Sequence, residues 1–196
     1  MSRWEWVVAL GFLRSLAACS GETSDDATGK EPGGIGRPCL LVEESRTDFY
    51  GFSDQEIYAA GTTSDVCESE LCLVNHFQGR VSCPYGQSAE QAASDPACFV
   101  PGSDEPIAVP VDPQIVARPP ASTVTCSCQC GGLTDGSLCD CPKGTVCASA
   151  LPLTGGEDVP RYCMVEGFTY DPTQPPSPEV CIESSANCGD ARPYPP

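Results

Sequence analysis

Cysteine constrains this chain more than any other residue. Fifteen of its 196 residues are cysteine. Fourteen of them are spread through the body of the chain: Cys39, Cys67, Cys72, Cys83, Cys98, Cys126, Cys128, Cys130, Cys139, Cys141, Cys147, Cys163, Cys181 and Cys188. Cys19 stands apart, near the N-terminus. Leu, Ile, Val and Phe make up only about a fifth of the residues, and the formal charge is −17. Without cross-links, such a balance describes a disordered polymer. Disulfides supply what a small core cannot, and an even set of fourteen can close completely where fifteen cannot. The expected fold is therefore small, disulfide-rich and irregular all-β, with short hairpins and little helix.

The cysteines fall into groups of five (39 to 98), seven (126 to 163) and two (181 and 188). Two odd groups cannot each be self-contained, so if all fourteen pair, at least one bridge must cross from one group to another. Within the second group, Cys126, Cys128 and Cys130 alternate. On one extended strand, residues two apart share a face, so their sulfurs would stand in a row. Gly131-Gly132 and Asp135-Gly136 are turn material that can return the chain antiparallel. Bridges are accordingly expected from Cys126, Cys128 and Cys130 to Cys139, Cys141 and Cys147. The same spacing suits a thiolate cluster for a soft cation. The even count and the export signal described below favour disulfides instead, so no metal and no cofactor are expected.

Local patterns predict a helix over 88–94, with Ser88 as N-cap and Gln91 as its capping-box partner. Short strands are expected at 56–59 and 123–130, and a hairpin of 71–77 with 80–83 around Gln78-Gly79. Residues 99–125 hold six prolines and read as extended chain. Val109, Val111 and Ile115 are its candidates for leaning on a core.

Catalytic signatures are missing. The only histidine, His76, falls on a predicted strand beside Cys72 and Val74 and reads as a structural imidazole. No G-x-S-x-G, H-E-x-x-H, P-loop or G-x-G-x-x-G pattern occurs. Glu43-Glu44, Glu68 with Glu70, and Asp104-Glu105 are expected to be solvated surface. No catalytic residue is assigned, and the chain is not expected to be an enzyme. Phe49, Tyr50 and Phe52 are either core or an exposed contact loop. The negative charge opposes nucleic acid and favours a cationic envelope or extracellular protein as partner.

The N-terminus carries Arg3, the apolar run 6–13 and then Leu16-Ala17-Ala18-Cys19. This resembles the lipobox of bacterial lipoproteins, which implies a signal peptide over 1–18 and a lipidated Cys19 that holds the protein to a membrane. Ser20 is compatible with sorting to the outer membrane. Between residues 36 and 163, Gly36-Arg37-Pro38-Cys39, Cys67-x4-Cys72 and Gly79-x3-Cys83 resemble uncharacterised cysteine-rich secreted lipoproteins of myxobacteria. That resemblance implies location and architecture but no activity.

The expected organisation is a signal peptide (1–18), a lipidated Cys19 with flexible tether (19–38), and a first cysteine-rich module (39–98). A Pro-rich connector (99–125), a second module (126–163) and a Pro-rich tail with Cys181 and Cys188 (164–196) follow. The expected function is that of a non-enzymatic, lipid-anchored, disulfide-stapled cell-envelope protein with a structural or binding role. The alternatives are a secreted disulfide-scaffold inhibitor or toxin-like binder, and a thiolate metal-binding protein.

Overall fold

The structure is a computed structural model describing residues 34–61, 66–69, 71–132, 138–149, 159–174, 179–183 and 188. The lipobox, Cys19, tether residues 20–33 and the Asp135-Gly136 turn lie outside the described residues.

Among the described residues, six short strands make two antiparallel sheets. In the first, β1 (Ile57–Gly61), β2 (Leu71–Asn75) and β3 (Val124–Cys126) lie in the order β1-β2-β3. In the second, β4 (Gln129–Gly131), β5 (Thr145–Ser149) and β6 (Arg161–Val165) lie in the order β4-β6-β5. The β2 sequence Leu-Cys-Leu-Val runs apolar without alternation because a central strand is covered on both faces. Cys72 and Val74 turn into a cluster with Leu41, Phe77 and Val124. Leu73 points the other way and meets Met164 of β6, flanked by Ala59 and Tyr162. The two sheets pack on each other through this contact. The chain is a small, disulfide-rich, irregular all-β fold, as its cysteines and short apolar runs imply.

The helix expected at 88–94 is present as α1 (Ala89–Ser94). Ser88 Oγ accepts from Gln91 N, and the Gln91 side chain accepts from Ser88 N. A second helix, α2 (Pro120–Thr123), begins with proline at its first position, where no backbone donor is needed.

The predicted hairpin at Gln78-Gly79 does not form. Both edges of β2 are already occupied by β1 and β3, which leaves no partner position for residues 80–83. The strand stops at Asn75, and His76 takes a left-handed backbone conformation at φ 49°. Gly79 instead exchanges two backbone hydrogen bonds with Phe52, at 2.9 and 3.0 Å. A Cβ on Gly79 would stand 2.3 Å from the Asp112 carbonyl oxygen, and one on Gly51 would stand 2.7 Å from the Gly79 backbone. Three chain segments cross here with no room for a side chain, and both glycines hold positive φ, 85° at Gly79 and 109° at Gly51.

The single strand predicted over 123–130 also divides. Residues 124–126 belong to the first sheet and 129–131 to the second, and the chain crosses between them at Ser127 and Cys128. Ser127 N donates to Leu71 O on one side, while Ser127 Oγ donates to Cys163 O on the other.

All fourteen body cysteines pair: Cys39–Cys72, Cys67–Cys126, Cys83–Cys98, Cys128–Cys139, Cys130–Cys147, Cys141–Cys163 and Cys181–Cys188. Parity requires a bridge between groups; Cys67–Cys126 is that bridge, and it joins the two odd groups directly. Two of the expected pairings within the second group hold, Cys128–Cys139 and Cys130–Cys147. Cys126 does not join them, and Cys141 pairs with Cys163. The crossover after β3 carries Cys126 into the first sheet, so the three alternating sulfurs do not line one face.

Gly36, Arg37 and Pro38, the end of the expected tether, are part of the folded body. Gly36 N donates to Cys126 O, Cys126 N donates to Arg37 O, and Pro38 bridges Thr125. The proline-rich residues after Cys98 are extended and pinned at intervals. Ile107 N donates to Cys98 O, Ala108 N to Thr47 O, and Val111 exchanges two bonds with Gln87.

Candidate binding surface

Glu44, read from sequence as half of a solvated pair, is fully buried, and so is Arg80. Its carboxylate accepts from Val81 N at 2.7 Å, from Ser82 Oγ at 2.8 Å and from Arg80 Nε at 3.3 Å. Arg80 also donates to the carbonyls of Glu44, Arg46 and Phe49. Burial raises the Glu44 carboxyl above its usual range despite the neighbouring guanidinium and the Val81 and Ser82 donors. The pair ties the loop at 44–49 to the loop at 80–82. Glu43 is half-buried rather than fully solvated, and Tyr58 Oη donates to its Oε1 at 2.6 Å.

His76 is 2% exposed. Its Nδ1 lies 2.9 Å from the Asp54 carbonyl oxygen, to which it must donate. Its ring stacks on Tyr170 at 3.6 Å between centroids and 9° between planes. Arg118 Nε donates to the His76 carbonyl, and Nη2 donates to the carbonyls of Asn75 and Phe168. Burial pulls the Arg118 guanidinium down to about 10, so it stays charged at neutral pH. This cluster fastens the end of β2 to residues 168–170. It places the histidine in a structural tie rather than in an open site.

The aromatic loop separates into parts. Phe52 is 7% exposed and belongs to the main apolar cluster. Phe49 is half-buried, meets Phe52 edge-on at 4.8 Å and lies beneath the Arg80 guanidinium at 5.3 Å. Tyr50 is 71% exposed. Of the three residues proposed as a contact loop, the phenylalanines support the core and Tyr50 alone offers its ring to a partner.

A concave surface lies elsewhere, beside the Cys83–Cys98 bridge. It is a cleft of about 760 Å³ whose walls include Tyr85, Gln91, Phe99, Asp104 and Glu183, with no lysine or arginine among the described residues that line it. Its frame is fixed by Gln87, a buried amide with every polar position used. Gln87 Nε2 donates to Ile107 O and Val109 O, and Oε1 accepts from Ala97 N and Cys98 N. The bridge then closes the loop that carries α1. Two part-exposed aromatic rings, Tyr85 and Phe99, stand beside two carboxylates. Such a lining can hold a cation that carries apolar surface.

No family model, curated protein or solved structure matches this chain. The reading of the site therefore rests on its chemistry.

Groups of cysteine sulfurs do come within 4.8 Å of one another, as in Cys128, Cys139 and Cys163. Each is committed to a disulfide, and a disulfide sulfur is not the thiolate that a metal site requires. Among the described residues, no helix is long and apolar enough to cross a membrane. Sequence reasoning missed Arg80, Gln87, Tyr85, Phe99 and Glu183. Single polar or aromatic residues between cysteines carry no periodic signal. Only the fold reveals which of them face inward.

Proposed function

We propose that this protein is a non-enzymatic, lipid-anchored binding protein of the cell envelope, stapled by seven disulfides. The observation that carries the reading is the complete pairing of the fourteen body cysteines, which leaves Cys19 as the one thiol outside the set. A chain with so many bridges belongs to an oxidising compartment. An extra cysteine inside a lipobox-like sequence has a use that needs no partner sulfur. The partner that best fits the acidic chain and the Tyr85–Phe99 cleft is a cationic, partly apolar segment of another protein.

Intact mass of the full chain made in a lipoprotein-processing bacterium tests location and stapling together. The expected species begins at Cys19, carries a lipid mass there, and gains fourteen hydrogens on reduction. An unmodified Cys19, or free thiols in the body of the native protein, would contradict the reading. The binding role is tested separately with a short peptide that alternates arginine and leucine. Asp104→Asn combined with Glu183→Gln should weaken its binding about fivefold to tenfold, the order expected for two partly screened charge contacts. Equal affinity in the double variant would remove the cleft from the proposal.

A further inference from the structure

The second sheet brings six cysteines into one place. Cys147 of β5 stands directly across from Cys163 of β6 in register, yet the two do not pair. Each is bonded to a third residue, Cys147 to Cys130 and Cys163 to Cys141. Cys163 Sγ also lies 3.8 Å from Cys128 Sγ and 3.8 Å from Cys139 Sγ, the two atoms of another bridge. No proton is shared among these atoms, so the distances are sulfur–sulfur van der Waals contacts. Cys130, Cys141 and Cys163 form a second group with sulfurs within 4.8 Å. Cys163 Sγ thus touches the Cys128–Cys139 bridge and lies within 4.8 Å of a sulfur of the Cys130–Cys147 bridge.

Exposure separates this cluster from its counterpart in the first sheet. There Cys39, Cys67 and Cys126 also crowd within 4.8 Å, but these three and Cys72 are 3% exposed or less. In the second sheet Cys147 is exposed, Cys128, Cys130, Cys139 and Cys141 are half-buried, and Cys163 alone is fully buried. Within the Cys141–Cys163 bridge only Cys141, flanked by the exposed Asp140 and Pro142, therefore faces solvent. A solvent-borne thiol can approach Cys141, and the sulfur released by its attack is the buried one at the centre of the cluster.

We propose that the second sheet is a thiol–disulfide exchange site for an external dithiol, with Cys141 as the sulfur attacked and Cys163 as the internal relay. In the first step a thiolate of the dithiol bonds to Cys141 Sγ, the Cys141–Cys163 bond breaks, and the electron pair leaves on Cys163. In the second, the Cys163 thiolate bonds to one sulfur of Cys128–Cys139 and the other leaves as a thiolate, which takes a proton from water. The second thiol of the reagent then displaces Cys141, closing the reagent as a disulfide. The dithiol is oxidised by two electrons and the protein gains two thiols, one at Cys141 and one at Cys128 or Cys139. In the closed state Cys163 sits broadside to the Cys128–Cys139 bond, equidistant from both atoms. Opening its own bridge frees χ1, and rotation about that bond brings the sulfur into line for displacement.

The test is partial reduction of the oxidised full chain with graded dithiothreitol, trapping with excess N-ethylmaleimide, and peptide mapping by mass. Molecules labelled in the second sheet should carry the label at Cys141 together with Cys128 or Cys139, and a new Cys163 bridge. Label at Cys141 together with Cys163, or a second sheet that stays unlabelled until the first-sheet bridges open, would overturn the proposal. A second measurement uses Cys141→Ser, which leaves one odd sulfur in the cluster. Its free thiol should be shared among Cys163, Cys128 and Cys139, whereas Cys98→Ser should keep its free thiol at Cys83. A thiol confined to Cys163 in the first variant would refute the relay.

Discussion

Arg80 Nε lies 3.3 Å from Glu44 Oε2, with both side chains entirely out of water. Thirty-six residues separate the two in sequence, and their contact locks one irregular loop to another. Isolated buried charges are costly, so each partner depends on the other and on the carbonyls and donors around it. Removing the cation alone, as in Arg80→Met, strands the Glu44 carboxylate and should destabilise the fold by about 3–5 kcal/mol. Replacing both, as in Arg80→Met with Glu44→Leu, should recover part of that loss. Urea unfolding of the oxidised variants reads both effects, and a double variant as unstable as the sum of its parts would deny the coupling.

The same carboxyl gives a pH dependence. Burial holds Glu44 above its ordinary value near 4.5. The unfolded chain therefore ionises at lower pH than the folded one. The stability Glu44 contributes is complete below the unfolded value and declines as pH rises through the folded one. The stability difference between the wild-type chain and Glu44→Gln should narrow as pH rises above the ordinary carboxyl value near 4.5. A difference that widens over that range would mean the folded carboxyl is held below its ordinary value instead.

Phe52 and Tyr50 are two residues apart and should behave oppositely. Phe52 is 7% exposed and touches Phe49 and Phe77, so Phe52→Ala should cost about 3–5 kcal/mol through the cavity it leaves. Tyr50 is 71% exposed, and Tyr50→Ser should change stability by less than about 0.5 kcal/mol. Chemical denaturation distinguishes them directly. Equal losses would place Tyr50 in the core.

The bridges should differ in worth by the loop each closes. Cys67–Cys126 spans 59 residues and joins the two odd cysteine groups, while Cys181–Cys188 spans 7. Loop-closure entropy gives about 4 kcal/mol for the first and about 2 kcal/mol for the second. Replacing each pair by serine and comparing unfolding midpoints tests the order. A larger loss from the short loop would assign its stabilisation to packing.

Several features were legible without coordinates. The Ser88–Gln91 capping box marks α1 because capping is a contact between residues three apart in the chain. The parity of the cysteine groups required a linking bridge, and Cys67–Cys126 is that bridge. Strand pairing was less legible. Residues 71–77 and 80–83 have the composition of a hairpin, but β1 and β3 take both edges of the first strand. The cleft was not legible, since Tyr85 and Phe99 are brought together by the Cys83–Cys98 bridge and the Gln87 amide, while Glu183 arrives on a separate segment that pairs with residues 114–116.

The sequence by itself determined that this chain would fold through cysteine, because its apolar content is too low and its charge too high for a core to suffice. It also determined the size and strand-rich character of the elements, which follow from short apolar runs broken by glycine and proline. Tertiary structure alone decided which sulfurs meet. Pairing depends on where the chain crosses from one sheet to the other, and that crossing at Ser127 is set by hydrogen bonds to Leu71 and Cys163, one in each sheet. Tertiary structure alone also decided that Glu44 and Arg80 lie inside. A charge is buried only where its partner and its donors converge, and that convergence is a property of the whole fold.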